Sequence, residues 1–556
     1  MRKILLLLMI FNLSLATLSA QPSWTKKAMK SVFTLKTFSA DGTLLGSTNG
    51  FFVGEQGEAV SSFSPFKGAS SAIVIDGQGK EMAVACMLGA NDTYDVAKFR
   101  VEAKKTVPLT VATTAAGEQS AVWLLPYRDT KAMTQGTVRK AETFKDYYAY
   151  YTVALNMPEG TASCPLMNES GEVVGLMQQP YKQGDTLSYA VSALFADSLA
   201  INGLSINDPT LRATLIKKDL PATLSQAQLT LYVAETTLDS ANYVQLLEDF
   251  IARFPDAPDG YTYRAQMAMA NKAFDAATRD MEHAIKVAEK KDEAHFTYSK
   301  LIYQKEIYMS QTPYDGWSLD KALDEARQAE AINPLAVYRH QQAVILYAQK
   351  KYAEADAIYQ TLYGSDLRSA TLFYEGSRCK AMMADTLGQI ALLDSCVAMF
   401  SKPYLKEAAP YLMARAQVLA NAQRYRDAVS DLNDYEKLMQ ATVNANFYYL
   451  RYQAEVGGRL FQQALNDISQ AISMEPQYDL YYAEKASLQV RVGLYDEAIE
   501  TATQCTEVAP DHSDGYLFLG LAQCLKGLKA DGIKNLQKAK ELGDPQADAL
   551  IEKYSK

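Results

Sequence analysis

The residues that could carry chemistry are few and unevenly placed. Histidine occurs four times, at His283, His295, His340 and His512, all in the back half of the chain. Acyl transfer by a serine needs a base that takes up its proton near neutral pH, and no imidazole precedes His283 to do so. The six cysteines include no CxxC pair, so neither a thiolate zinc site nor a redox motif is supported. Cys379 and Cys396 stand 17 residues apart, and Cys505 and Cys524 stand 19 apart, each pair on expected neighbouring helices. Buried free thiols and a cross-link are both open there. No phosphate loop ending in lysine, no HExxH stretch and no dinucleotide fingerprint occurs, and Asp76-Gly77-Gln78-Gly79-Lys80 reads as a hairpin turn. The acids Glu169, Glu172 and Asp185 are scattered rather than paired. No cofactor and no metal are expected.

The elements that must position such groups fall into parts. A chain of 556 residues is long for one core, and 48% hydrophobic with 21% charged residues is the make-up of a folded protein. The net charge of -9 and the lack of a basic cluster argue against nucleic acid as a partner. Residues 1–20 read as a signal peptide: Arg2 and Lys3 precede a mostly apolar run from Ile4 to Leu15, and Leu18-Ser19-Ala20 offers a cleavage site before Gln21. Loss of that segment would take the charge to -11. An uncleaved anchor is the alternative, but the run is short for a membrane span and no later one is long enough, so a mature protein without a transmembrane span, periplasmic or secreted, is expected. Cleavage just before a glutamine resembles exported proteins of the Bacteroidetes phylum.

From about residue 225 to 556 the pattern recurs with a period near 34. Phe461 and Tyr495 are 34 residues apart, and Pro476, Pro510 and Pro545 are spaced by 34 and 35. That is the length of two short helices and their turns, which bury an apolar stripe only by stacking. Small residues at Ala464, Ala471, Ala498 and Ala502 suit close helix approach, while Gln462 and Gln463 are expected to face solvent. Looser copies stand at Ala273-Phe274, Tyr352-Ala353 and Tyr425-Arg426-Asp427-Ala428, with an insertion expected over Lys305 to Ser318. The series resembles the tetratricopeptide repeat (TPR) family, which implies an all-α superhelix with a concave surface for a protein or peptide. The protein-binding candidates are Tyr448, Tyr449, Tyr452, Tyr478, Tyr481 and Tyr482, since tyrosine joins large area to a polar handle; core packing is the alternative for each.

Residues 21–206 have a different texture. Short apolar or alternating runs (Ser31 to Phe38, Gly50 to Val53, Ser71 to Ile75, Glu81 to Met87, Val96 to Val101, Ala121 to Pro126, Tyr147 to Ala154, Val173 to Met177) are separated by turns such as Asp41-Gly42 and Ser170-Gly171. They predict an all-β domain, two small barrels or a sandwich. A connector is expected at 207–224, where Asp208-Pro209 and Leu220-Pro221 break the pattern.

The order of motifs in this domain is more specific: Thr48-Asn49-Gly50-Phe51-Phe52-Val53, Asn91-Asp92-Thr93-Tyr94-Asp95-Val96, Gly160-Thr161-Ala162-Ser163-Cys164-Pro165 and Gly171-Glu172-Val173-Val174-Gly175. It resembles the chymotrypsin-fold serine proteases of the HtrA-like branch, which implies a double β-barrel. Carried onto this chain, the family's general base falls on Ser64, its acid on Asp95 and its nucleophile on Ala162, so the resemblance implies a pseudoprotease. Ser163 and Cys164 replace two glycines of the nucleophile loop, which is expected to disturb its turn. Either remains a candidate nucleophile if Lys67 or Lys98 serves as base; otherwise Cys164 is buried or paired with Cys86. The expected function is an exported scaffold, in an envelope complex or free, with an inactive protease-like domain and a TPR interaction domain. The alternative is an active serine or cysteine peptidase with an unconventional site.

Overall fold

A computed structural model describes residues 21–144, 148–182, 184–440 and 442–556; the expected signal peptide and the first residue of the expected strand at Tyr147 lie outside them. The chain packs as two compact units, one reaching to Asn271 and including Ala276–Ala288, the other Lys272–Asp275 with Glu289–Lys556.

The first unit holds two closed antiparallel barrels of six strands each. β1 (Val32–Phe38), β2 (Leu44–Phe52), β3 (Glu58–Ser61), β4 (Ser71–Ile75), β5 (Glu81–Asn91) and β6 (Val96–Val101) close in the order 1-2-3-6-5-4. β7 (Ala121–Leu124), β8 (Thr134–Phe144), β9 (Tyr148–Ala154), β10 (Pro165–Met167), β11 (Val173–Met177) and β12 (Leu187–Ser192) close as 10-11-12-9-8-7. Alternation dictates which side chains turn inward: β1 buries Phe33 and Leu35, and β9 buries Ala149, Tyr151 and Val153. Gly50 is demanded by a close approach, because a Cβ there would stand 2.5 Å from both the Phe33 ring and the Val60 carbonyl.

The segment expected as a connector packs on the first barrel. Leu211 and Ile216 join that barrel's core. The backbone N–H of Leu215 donates to Ala69 O at 2.8 Å, and that of Met87 donates to Lys217 O at 2.7 Å. Asp219 then accepts from Arg100 at 3.0 Å and from Arg253 at 2.5 Å, which ties the helix Ser240–Arg253 to the barrel.

In the second unit helical hairpins follow one another from Lys291–Tyr308 with Leu319–Ile332 to Ser513–Lys526 with Lys529–Glu541, closed by Ala547–Ser555. Ala464, Ala471, Ala498 and Ala502 are fully buried at helix contacts, and Gln462 and Gln463 are exposed. The expected insertion is in part helix: Lys305–Tyr308 completes an 18-residue helix, and the loop beyond it returns Trp317, whose indole N–H donates to Tyr298 Oη at 3.2 Å. Each hairpin turn from Lys350 onward places one residue in the left-handed region: Lys350, Ala384, Gln423, Arg459, Gly493 and Gly527. Only the last two are glycine. No helix among the described residues is long and apolar enough to cross a membrane.

Candidate functional site

The residues mapped to a catalytic triad are set by three turns. Ser64 opens a short turn after β3, and Asp95, with φ 51°, ends the turn between β5 and β6. Asp95 Oδ1 accepts from the Ser64 backbone N–H at 2.6 Å and from Ser64 Oγ at 2.7 Å. Ala162 lies in the loop between β9 and β10, half-buried, and offers only a methyl group.

That loop is gripped from the first barrel. Asn49, on β2, donates through Nδ2 to the carbonyls of Gly160 at 2.7 Å and Ala162 at 3.0 Å. Ser163 Oγ lies 2.8 Å from Thr48 Oγ1 and 2.7 Å from Ser62 Oγ, and Ser163 N–H donates to Met177 O at 2.9 Å. Ser163 is 1% exposed. It nevertheless keeps a left-handed backbone, φ 60°, of the kind glycine adopts freely. The expected disturbance of the turn is therefore absent at this residue, because the hydroxyl contacts hold what glycine would permit. The N–H groups of Gly160 and Ala162 donate to no acceptor among the described residues. Both residues line a polar cleft of about 440 Å³ whose one charged lining residue is Glu159.

Residues 48–176 match the family model of the trypsin-like peptidase domain.

Within this peptidase-like domain neither candidate nucleophile is hydrogen-bonded to a basic side chain among the described residues. Ser163 Oγ is surrounded by hydroxyls. Cys164 is fully buried in the second barrel's core, and burial pushes its thiol up to about 12, away from the reactive thiolate. Lys67 is paired with Asp92 at 2.5 Å, and Lys98 stands on β6 opposite Val60 and Gly89. Neither bonds to Ser163 or Cys164 among the described residues. Cys86 and Cys164 are both free, as are Cys379, Cys396, Cys505 and Cys524, and all are buried.

The tyrosine candidates divide by burial. Tyr452, Tyr481 and Tyr482 are buried, so they pack the repeats instead of offering contact area: Tyr452 Oη donates to Glu484 O at 3.0 Å and Tyr482 Oη to Pro476 O at 3.1 Å. Tyr448 and Tyr449 are half-buried, and Tyr478 is 46% exposed with its ring 4.7 Å from that of Tyr481. The small glutamine-rich tetratricopeptide repeat-containing protein 2 of Saccharomyces cerevisiae is 26% identical to this chain over 95 residues, 17% of the chain and 28% of that protein. The chain thus spans little more than a quarter of that relative's length.

Sequence reasoning overlooked a second recurring feature of the helices. Arg264 with Asp280, Arg415 with Asp431 and Arg451 with Asp467 form forked ion pairs at one spacing of 16 residues, with Nε and Nη2 each donating to one carboxylate oxygen. Each arginine also reaches a carboxylate on another helix, Glu248, Asp394 or Glu436. The repeated Arg–Asp offset is visible in the sequence once the helix period is known.

Proposed function

We propose that the chain is an exported protein-binding scaffold, in which a peptidase-like domain without peptidase activity is joined to a repeat domain that holds a protein partner. The pairing of Ser64 with Asp95 carries this reading. At the position where the family resemblance calls for imidazole, a serine hydroxyl occupies the carboxylate, and a hydroxyl does not take up a proton near neutral pH. Ala162 supplies no nucleophile, and the four histidines all lie beyond residue 282. The TPR-containing relative and the exposed ring of Tyr478 support the helices as the partner-holding part. Arg2, Lys3 and the apolar run that follows support export to the periplasm or beyond, where an envelope complex would be the setting.

The test uses the full chain. No labelling by a serine-directed fluorophosphonate and no cleavage of an unfolded test protein between about pH 5 and pH 9 are expected. Cleavage that disappears in Ser163→Ala or Cys164→Ala would overturn the reading. A photo-crosslinking residue at Tyr478 is expected to capture a partner in the native cell that the same residue at Tyr181 does not. The mature N-terminus is expected at Gln21, read by N-terminal sequencing.

A further inference from the structure

The β4–β5 turn of the first barrel borders a cleft of about 580 Å³ that shares no lining residue with the cleft beside Ala162. Four cationic side chains bound it: Lys30, Lys80, Lys105 and Arg128. Its one acidic lining residue is Asp76, whose carboxylate already accepts from the N–H groups of Gln78 at 2.8 Å and Lys80 at 3.0 Å. At the rim Glu55 lies 3.6 Å from Lys105, but both side chains are mostly exposed, so water weakens that pair. A local excess of positive charge thus stands on a chain whose net charge is -9.

The wall is built rather than incidental. Arg128 donates from Nε to Gly77 O at 3.0 Å and from Nη2 to Asp76 O at 2.9 Å, and Tyr127 Oη donates to Asp76 O at 2.8 Å. The hairpin turn that carries Lys80 is therefore fixed to the second barrel's first loop before any ligand arrives, and a pre-formed wall lowers the ordering cost of binding. Half-buried Met29 and Val107, which is 40% exposed, add apolar surface to the same lining, while Met82 belongs to the barrel's core.

We propose that this cleft binds an acidic peptide segment, its carboxylates meeting Lys30, Lys80 and Lys105 while an apolar side chain of the peptide rests on Met29 and Val107. The mixed lining selects this class. A chain of phosphates would satisfy the cations and leave the apolar surface unused, and a cleft of this volume takes a few side chains, not a folded domain. The site is independent of whether the helices hold a partner.

The probe is a fluorescein-labelled peptide of alternating glutamate and leucine, titrated with the full chain and followed by fluorescence anisotropy. Lys80→Glu with Lys105→Glu is expected to weaken binding by at least about tenfold, and raising salt from about 50 to 200 mM to weaken it by a similar factor. Replacing the peptide's leucines by alanine is expected to weaken binding by about threefold or more. Lys140→Glu, on β8, is expected to leave affinity unchanged, and thermal melts check that each variant folds. Unchanged affinity in the Lys80/Lys105 variant would overturn the proposal. So would inorganic polyphosphate binding as tightly as the peptide while the leucine-to-alanine peptide loses nothing, which would mark a surface that attracts any polyanion.

Discussion

Replacing Glu455 by glutamine should stabilise the repeat unit, and more so as pH rises. Glu455 is 3% exposed, lies 3.9 Å from Arg451, and is pushed from the ordinary 4.5 up to about 8 by burial first and by the Asp467 carboxylate second. Arg451 cannot hold both acids equally, because its fork is committed to Asp467 and its Nη1 to Glu436. Between the two pH values the folded chain keeps a proton that the unfolded chain has released, so stability falls as pH rises through that window and the loss is complete above it. The slope is bounded at about 1.4 kcal/mol per pH unit. About 1–2 kcal/mol is expected to be lost between roughly pH 5 and pH 8. Glutamine cannot ionise and still offers an N–H to Asp467. Thermal melts at the two pH values, with Glu455→Gln against the parent, should show little difference at the lower pH and a gain of about 2–6 °C at the higher one. Because His512 and Asp514 in the same unit are also raised, the informative quantity is the change in the difference between the two proteins. An equal loss at both pH values would refute the reasoning and make Glu455 a net stabilising ion.

Arg415→Ala leaves Asp431, whose side chain is 6% exposed, without its forked partner, and should cost about 2–4 kcal/mol in chemical denaturation, whereas exchanging both residues for leucine should be close to neutral. Gln423, exposed and at φ 60°, should gain about 0.5–1 kcal/mol when changed to glycine, because the left-handed turn then carries no Cβ strain. Cys164 should resist alkylation in the native chain at neutral pH and react only on unfolding, as followed by mass spectrometry, since burial suppresses its thiolate.

The strands legible in the sequence were those with apolar alternation or an apolar run, such as β4 and β6, whose bounds fall where the pattern places them. β8 was not legible: TQGTVRKAETF holds one valine, and its place is fixed by pairing with β7 and β9 rather than by its own residues. β10 has only three residues, too few to show a period. In the helices the proline and aromatic spacing displayed the repeat, but the turns did not, because Lys350, Ala384, Gln423 and Arg459 occupy a left-handed position that sequence marks only when glycine stands there. At the candidate site the sequence placed Ser64, Asp95 and Ala162 in three loops, and the structure joins the first two. The grip of Asn49 and Thr48 on the Ala162 loop was hidden, since contacts across more than 110 residues leave no local trace.

That grip decides what Ser163 is for. Its φ of 60° costs about 1–2 kcal/mol relative to glycine, while its two hydroxyl contacts contribute about 1 kcal/mol each and satisfy Thr48 and the buried Ser62. Ser163→Gly removes both effects and should be destabilising by about 1 kcal/mol or less. Ser163→Ala keeps the strain and loses the contacts, so it should be worse by about a further 1–2 kcal/mol. A nucleophile poised for chemistry gives no reason for this ordering, and a structural cross-link between the barrels requires it. If Ser163→Gly proved more stable than the parent by over about 1 kcal/mol, the hydroxyl contacts would not be what holds the loop, and Ser163 would need another explanation.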